Sequence, residues 1–132
     1  MKVPAGICLT DLVIAMVMIL ILSVITYPSY QSYLRVSHRS DAHIGLLKLA
    51  GMQEQFFLHA QQYTTLNNLH LVSGADSYLT EQGFYRITAS VTPSSYLLTA
   101  TAIGSQASDT ECQTLTLAQD GSRDSTSHER CW

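Results

Sequence analysis

Asp11 is the residue whose type and position most directly indicate chemistry, because it stands at the edge of an apolar stretch. No charged residue occurs between Asp11 and Arg35, so residues 12–34 form an uncharged run. A carboxylate within a membrane segment costs roughly 2.5–3.5 kcal/mol on insertion scales, and such acids usually serve a function. The sequence therefore marks Asp11 as a functional candidate.

The other reactive side chains do not form an arrangement that indicates catalysis. The sequence contains no G-x-S-x-G, no glycine-rich phosphate loop, no C-x-x-C and no H-E-x-x-H. The histidines lack close ligand spacing, so we interpret them as ordinary surface residues: His38, His43, His59, His70 and His128. We predict a protein that is not an enzyme, with no catalytic residue, no cofactor and no metal site.

The apolar run is the element that positions Asp11. At about 1.5 Å per residue, a helix over residues 12–34 is long enough to cross a bilayer core of roughly 30 Å. Three interpretations compete: a cleaved secretory signal, a plain membrane anchor, and an anchor that also polymerises. A secretory signal fits poorly, because residues 24–28 offer no small-residue cleavage site and the acid begins the apolar core. A plain anchor leaves Asp11 unexplained.

The pattern after the run predicts a second, amphipathic half of the helix. Pro28 lies within the helical pattern and predicts a kink. Gly45 and Gly51 either weaken the helix or permit close packing. Side chains recurring at steps of three and four predict one buried face as far as about Gln61, with one polar interruption: Ala42, Leu46, Leu49 or Ala50, Gln53, Phe57 and Ala60.

The rest of the chain alternates in the manner of strands. Residues 63–80 are typical of a loop, and strands are predicted at residues 83–91, 95–103 and 112–118. A turn at residues 92–94 joins the first two strands. The sequence therefore predicts an α+β fold, in which a long N-terminal helix, half transmembrane and half amphipathic, packs on a three- to four-stranded antiparallel sheet.

Charge and cysteine content limit the environment and the partners. The formal net charge is −3, which argues mildly against broad electrostatic binding of nucleic acid. Cys8 lies beside the apolar run, which leaves Cys112 and Cys131 in the exported part. An even pair there favours an oxidising compartment, although free thiols remain the alternative to a disulfide.

The stretch GICLTDL at residues 6–12, followed by the apolar run and Pro28, resembles the N-terminus of type IV pilins. The resemblance implies a leader at residues 1–6, a transmembrane and polymerisation helix at 7–34, and a globular head at 35–132. It also implies that a prepilin peptidase cleaves between Gly6 and Ile7 and methylates the amino group of Ile7.

Three departures from the family pattern are visible in this stretch. Ile7 replaces the usual Phe, Thr10 replaces an apolar residue, and Asp11 replaces Glu. In the family, the Glu is thought to pair with the N-terminal amine of a neighbouring subunit, so the resemblance assigns an assembly role to Asp11. The departures favour a minor subunit over the bulk filament protein.

The tail is a second point of resemblance. Cys112 and Cys131 flank a predicted strand and a turn, and Cys131 is followed by Trp132. This arrangement resembles minor pilins of the PilE type. The resemblance implies a disulfide between Cys112 and Cys131. It further implies the family's pilin fold, a membrane-inserted form with its head in the bacterial periplasm, and an extracellular pilus after assembly.

We predict a structural minor subunit that supports pilus biogenesis and pilus-dependent motility, adhesion or DNA uptake. Its partners are other pilin subunits, the prepilin peptidase, an inner-membrane assembly platform and, before assembly, membrane lipid. The alternatives are a receptor pilin for DNA or a surface, and a pseudopilin of a type II secretion system. Residues 122–130 carry two arginines and two acids, which supports DNA binding only weakly. We interpret Arg35, His38 and Arg39 as a solvated or headgroup-facing patch.

Overall fold

The computed structural model describes residues 8–70, 76–127 and 130–132. The chain divides into two compact units between Leu34 and Arg35, and each unit is described by itself. The predicted leader, with the cleavage site at Gly6 and Ile7, lies outside the described residues.

The first unit contains the beginning of helix α1 (Leu9–Ala60), which continues without interruption through Pro28. This helix is long and apolar enough to cross a membrane by length and composition, with a mean hydropathy of 2.5 over its most apolar window. Two hydroxyls in the apolar run donate to backbone carbonyls one turn earlier, Ser23 to Ile19 at 2.7 Å and Thr26 to Leu22 at 2.8 Å. Such bonds satisfy polar groups that lipid cannot. The kink at Pro28 stays a prediction.

The second unit contains the later part of α1 and one five-stranded antiparallel sheet. The strands lie side by side in the sheet in the same order as in the chain: β1 (Ser77–Leu79), β2 (Tyr85–Thr92), β3 (Ser95–Ala102), β4 (Thr114–Ala118) and β5 (Arg123–Ser125). The predicted α+β class is confirmed, whereas the predicted count of three to four strands is wrong. The segments interpreted as loops contain β1 and β5, which have three residues each and are too short to show alternation.

The core lies between α1 and the inner face of the sheet. Most of the predicted helix face is buried, with Leu46 and Leu49 fully so, whereas Ala60 at the helix end is exposed. Across from it lie alternate residues of the three long strands, as expected for a half-buried sheet. They are Tyr85, Ile87, Leu98, Ala100, Leu115 and Leu117.

Gly45 is the point at which the helix approaches the sheet most tightly. A Cβ atom there would lie 2.8 Å from Ile87 Cδ1 and 3.0 Å from Thr80 Cγ2, closer than carbon atoms normally approach. Gly51 has open space around it, with no such neighbour within 4 Å. Of these two glycines, therefore, Gly45 is the one that permits close packing of the helix against the sheet.

Two buried polar side chains of α1 hold the segments that follow the helix. Gln53, predicted as a polar interruption, exchanges hydrogen bonds with the backbone C=O and N–H of Thr64. The Asp41 carboxylate accepts the N–H groups of Gln82, at 3.2 Å, and Phe84, at 3.4 Å, in the turn between β1 and β2. Because buried polar groups need partners, these bonds specify how the loop and the turn lie on the helix.

Candidate functional site

Asp11 lies in the first turn of α1, exposed on the apolar run. Its carboxylate accepts a hydrogen bond of 3.4 Å from the backbone N–H of Cys8, the residue before the helix. An acid in the first turn satisfies free N–H groups of the helix end and interacts favourably with its positive dipole end. The amine that the resemblance assigns to Asp11 as a partner belongs to a neighbouring subunit, so this pairing stays a prediction.

Arg39 and Asp109 form a two-pronged ion pair between α1 and the segment before β4. The distances are 2.7 Å from Nε to Oδ2 and 2.9 Å from Nη2 to Oδ1, and both side chains are at least nine-tenths buried. The hydrogen bond with Asp109 raises the pKa of Arg39 above its ordinary value, against the opposing effect of burial. Arg39 Nη1 also donates to the Arg130 carbonyl at 3.3 Å, so the pair holds the C-terminal segment against the helix.

Gln106 extends this ion pair into a buried network. Its amide nitrogen lies 3.0 Å from the Arg35 carbonyl, 3.2 Å from the Tyr85 hydroxyl and 3.1 Å from Asp109. Its oxygen therefore faces His38 Nδ1, at 3.1 Å, and this nitrogen donates the hydrogen bond. Burial raises the pKa of the Tyr85 hydroxyl.

The network corrects two interpretations made from the sequence. Arg39 is a buried structural cation and not part of a solvated or headgroup-facing patch. His38 is half-buried and stacks on Phe84, with ring centroids 3.6 Å apart, so it is not an ordinary surface histidine. The spacing contained a signal for Arg39, because it lies three residues before Ala42 on the predicted buried face. No local signal pointed to Asp109.

A second group, the C-terminal cluster, consists of the side chains of His43, Arg123 and Trp132, together with Arg130, which lies two residues before Trp132 in the chain. His43 Nε2 donates to the Cys131 carbonyl at 2.7 Å, and its ring stacks on Trp132 at 4.8 Å between centroids. The Arg123 guanidinium lies 5.0 Å from the centre of the same indole, within the range of a cation–π interaction. His43 is thus a second histidine that packs against the protein.

Covalent and hydrogen-bonding contacts fix the C-terminal cluster. A disulfide joins Cys112 to Cys131, with the two Cα atoms 5.6 Å apart, and both cysteines are buried. The Trp132 Nε1–H donates to the Asp124 carbonyl at 2.9 Å, which ties the indole to β5. The guanidinium-bearing residues Arg123 and Arg130 are exposed. The cluster therefore presents two arginines and an aromatic ring on a rigid support.

The loop at residues 122–130, which supported DNA binding only weakly, thus contains β5 and part of this cluster. His128 and Glu129 lie outside the described residues. Among the residues that the structure describes, no three His, Cys, Asp or Glu side chains lie close enough together to hold a metal ion. The chemistry that the cluster supports is the binding of an anion by exposed guanidinium groups.

Comparison with known families decides the class of protein. A family model described as type IV minor pilin ComP, DNA uptake sequence receptor, matches residues 28–116, which is more than half of the chain. The chain belongs to this family of type IV minor pilins. A comparison with curated proteins finds no match.

Membership makes the chain a structural subunit of a type IV pilus, and a family of structural pilins is not a family of enzymes. The long apolar helix and the disulfide accord with the pilin class. The matched segment begins at Pro28 and ends within β4. It therefore includes the buried network around Arg39, but neither Asp11 nor the arginines of the C-terminal cluster.

Proposed function

We propose that this minor pilin binds DNA through its head and serves in pilus-dependent DNA uptake. The match to a family described as a DNA uptake sequence receptor carries the proposal. The C-terminal cluster supplies suitable chemistry, because exposed arginine forks match phosphate oxygens. The head has six basic against nine acidic residues, so binding by its overall charge is disfavoured and a local site is needed.

Replacing both Arg123 and Arg130 by Gln is expected to weaken DNA binding by roughly tenfold. It should also lower the salt slope, which is the steepness with which the logarithm of the affinity falls against the logarithm of the salt concentration, by about 1.8. For each phosphate contact that is lost, about one counterion fewer is released when the protein binds DNA. The measurement is the affinity of the full-length protein in detergent for a duplex, taken across a series of salt concentrations.

Lys48→Gln is the control, because it removes one positive charge from α1, where Lys48 forms an exposed ion pair with Glu81 in the turn after β1. Its binding should equal that of the unchanged protein. Absence of any DNA complex at low salt would overturn the receptor proposal and leave a purely structural subunit.

We infer further that the chain is processed and assembled as its N-terminal motif implies. Prepilin peptidase would cleave after Gly6 and methylate Ile7, with the head in the periplasm and the subunit joining the extracellular pilus through the assembly platform. Asp11 would pair with the amine of a neighbouring subunit as helices leave the lipid. The domain division into residues 1–6, 7–34 and 35–132 belongs to the same proposal.

Asp11→Ala is expected to lower incorporation into pili by roughly tenfold while leaving processing intact. A charge-assisted hydrogen bond contributes about 1.5–3 kcal/mol, and about 1.4 kcal/mol corresponds to that factor. The amount of this chain in sheared pili is compared with the amount in membranes, and Asp11→Glu is the charge-preserving control. Normal filament levels of the alanine variant would contradict the assembly role. The intact mass, lacking residues 1–6 and carrying one added methyl group, checks processing.

A further inference from the structure

The outer face of the sheet is lined by hydroxyls, and we call it the hydroxyl face. It consists of side chains of β2, β3 and β4 that alternate with the buried core residues: Arg86, Thr88, Thr99, Thr101, Thr114 and Thr116. Neighbouring positions lie about 4.8 Å apart across the strands and about 6.8 Å apart along them. Threonine hydroxyls are donors as well as acceptors. Among the described residues, those of Thr114 and Thr116 are already bonded, to Thr126 and to the Asp124 carbonyl, whereas those of Thr88, Thr99 and Thr101 have no such partner.

Arg86 is the cation of this face, and Asp124 on β5, opposite Thr116, is an acid on the same side of the sheet. It is exposed on β2, and its cross-strand neighbours on that side are Leu79 and Thr101, neither of which is acidic. Within the described residues, the ion pairs are Arg39 with Asp109 and Lys48 with Glu81, so Arg86 has no carboxylate partner there. An exposed guanidinium beside free hydroxyls complements a phosphate.

One row of the hydroxyl face leads from Arg86 to Thr126, the residue after β5. Arg86 lies opposite Thr101, Thr101 lies opposite Thr114, and the hydroxyl of Thr114 bonds that of Thr126 at 2.8 Å. Thr126 follows β5, whereas Arg123 lies opposite the buried Leu117 and so belongs to the other side of that strand. The row crosses three strand spacings, about 14 Å. Since each strand of a duplex carries one phosphate per about 3.4 Å of axis, the row has the length of roughly four phosphates.

We propose that the hydroxyl face is a second DNA-contact surface, distinct from the C-terminal cluster, on which Arg86 and the threonine row hold the phosphodiester backbone of a duplex. This inference rests on the proposed DNA binding. The segment that matches the DNA-receptor family, residues 28–116, contains Arg86 and Thr101 but not Arg123 or Arg130. The six residues that define the hydroxyl face all lie within that matched segment.

The face provides no aromatic ring for stacking on bases, so its contacts are with the backbone and are independent of sequence. Arg86→Gln is expected to weaken binding of the full-length protein about three- to tenfold, equally for an uptake-type duplex and its scrambled version, and to lower the salt slope by about 0.9. Thr101→Val removes one exposed hydroxyl and is expected to weaken binding about twofold. Lys48→Gln, which removes a charge outside the face, is expected to leave the slope unchanged.

The outcomes separate this inference from the receptor proposal. Loss of affinity in Arg86→Gln and Thr101→Val, with Lys48→Gln unaffected, supports the second surface. If Arg86→Gln and Lys48→Gln weaken binding equally, Arg86 acts only through the net charge of the protein, and the inference is overturned. Normal binding by Arg86→Gln, together with loss in the Arg123 and Arg130 variant, would overturn the second surface and leave the receptor role standing. Failure of the unchanged protein to bind any duplex would overturn both.

Discussion

Asp109→Asn is expected to lower the free energy of unfolding of the head by about 3–5 kcal/mol. The substitution preserves the shape of the side chain but leaves the Arg39 guanidinium buried without a countercharge. Both partners are at least nine-tenths buried, so water cannot replace the lost carboxylate. An amide has a single acceptor oxygen, so the substitution also removes either the bond from Arg39 Nη2 or those from Arg39 Nε and Gln106, which weakens the network that joins α1 to the segment before β4.

Denaturant unfolding of the full-length protein in detergent, followed by near-ultraviolet circular dichroism, measures this loss. Glu81→Gln is the control, because it breaks the exposed pair with Lys48 and should cost less than about 1 kcal/mol. The double variant Arg39→Met with Asp109→Leu removes both charges and should be more stable than Asp109→Asn. A loss below about 1 kcal/mol in Asp109→Asn would show that the pair is open to solvent.

Replacing both Cys112 and Cys131 with Ala is expected to cost about 3 kcal/mol of stability and to weaken DNA binding as well. The disulfide closes a loop with a sequence separation of 19 residues, and loops of that size restrict the unfolded chain by about this amount. In the native state it anchors the residue next to Trp132, whose indole lies against His43 and Arg123.

The same unfolding measurement and the same salt series as for Arg123 and Arg130 test this prediction. Cys8→Ala is the matched control, because Cys8 is exposed and unpaired in the described part of the chain and lies outside the head. DNA binding that survives loss of the disulfide, under conditions in which the head is still folded, would show that the C-terminal cluster does not depend on this anchor.

The long-range contacts of the head show why the site was harder to predict than the fold. His43 and the Cys131 carbonyl are 88 residues apart in the chain, and Arg39 and Asp109 are 70 apart. Periodicity reports which face of a helix or strand is buried, but it carries no information about which distant side chain will lie opposite. Arg123 and Arg130 were visible in the sequence as charges, whereas the ring that supports Arg123 was not.

The sequence by itself determined the long helix, its apolar first half, the three long strands and the type IV pilin class, because these depend on composition, local periodicity and a short contiguous motif. Only the tertiary structure decided that Arg39 is buried, that two histidines pack on aromatic rings, and that β1 and β5 complete the sheet. Strands of three residues become stable through the partners they pair with, and a buried charge is tolerated only where folding brings its counterion. The hydroxyl face, likewise, exists only once the register places threonines of separate strands side by side.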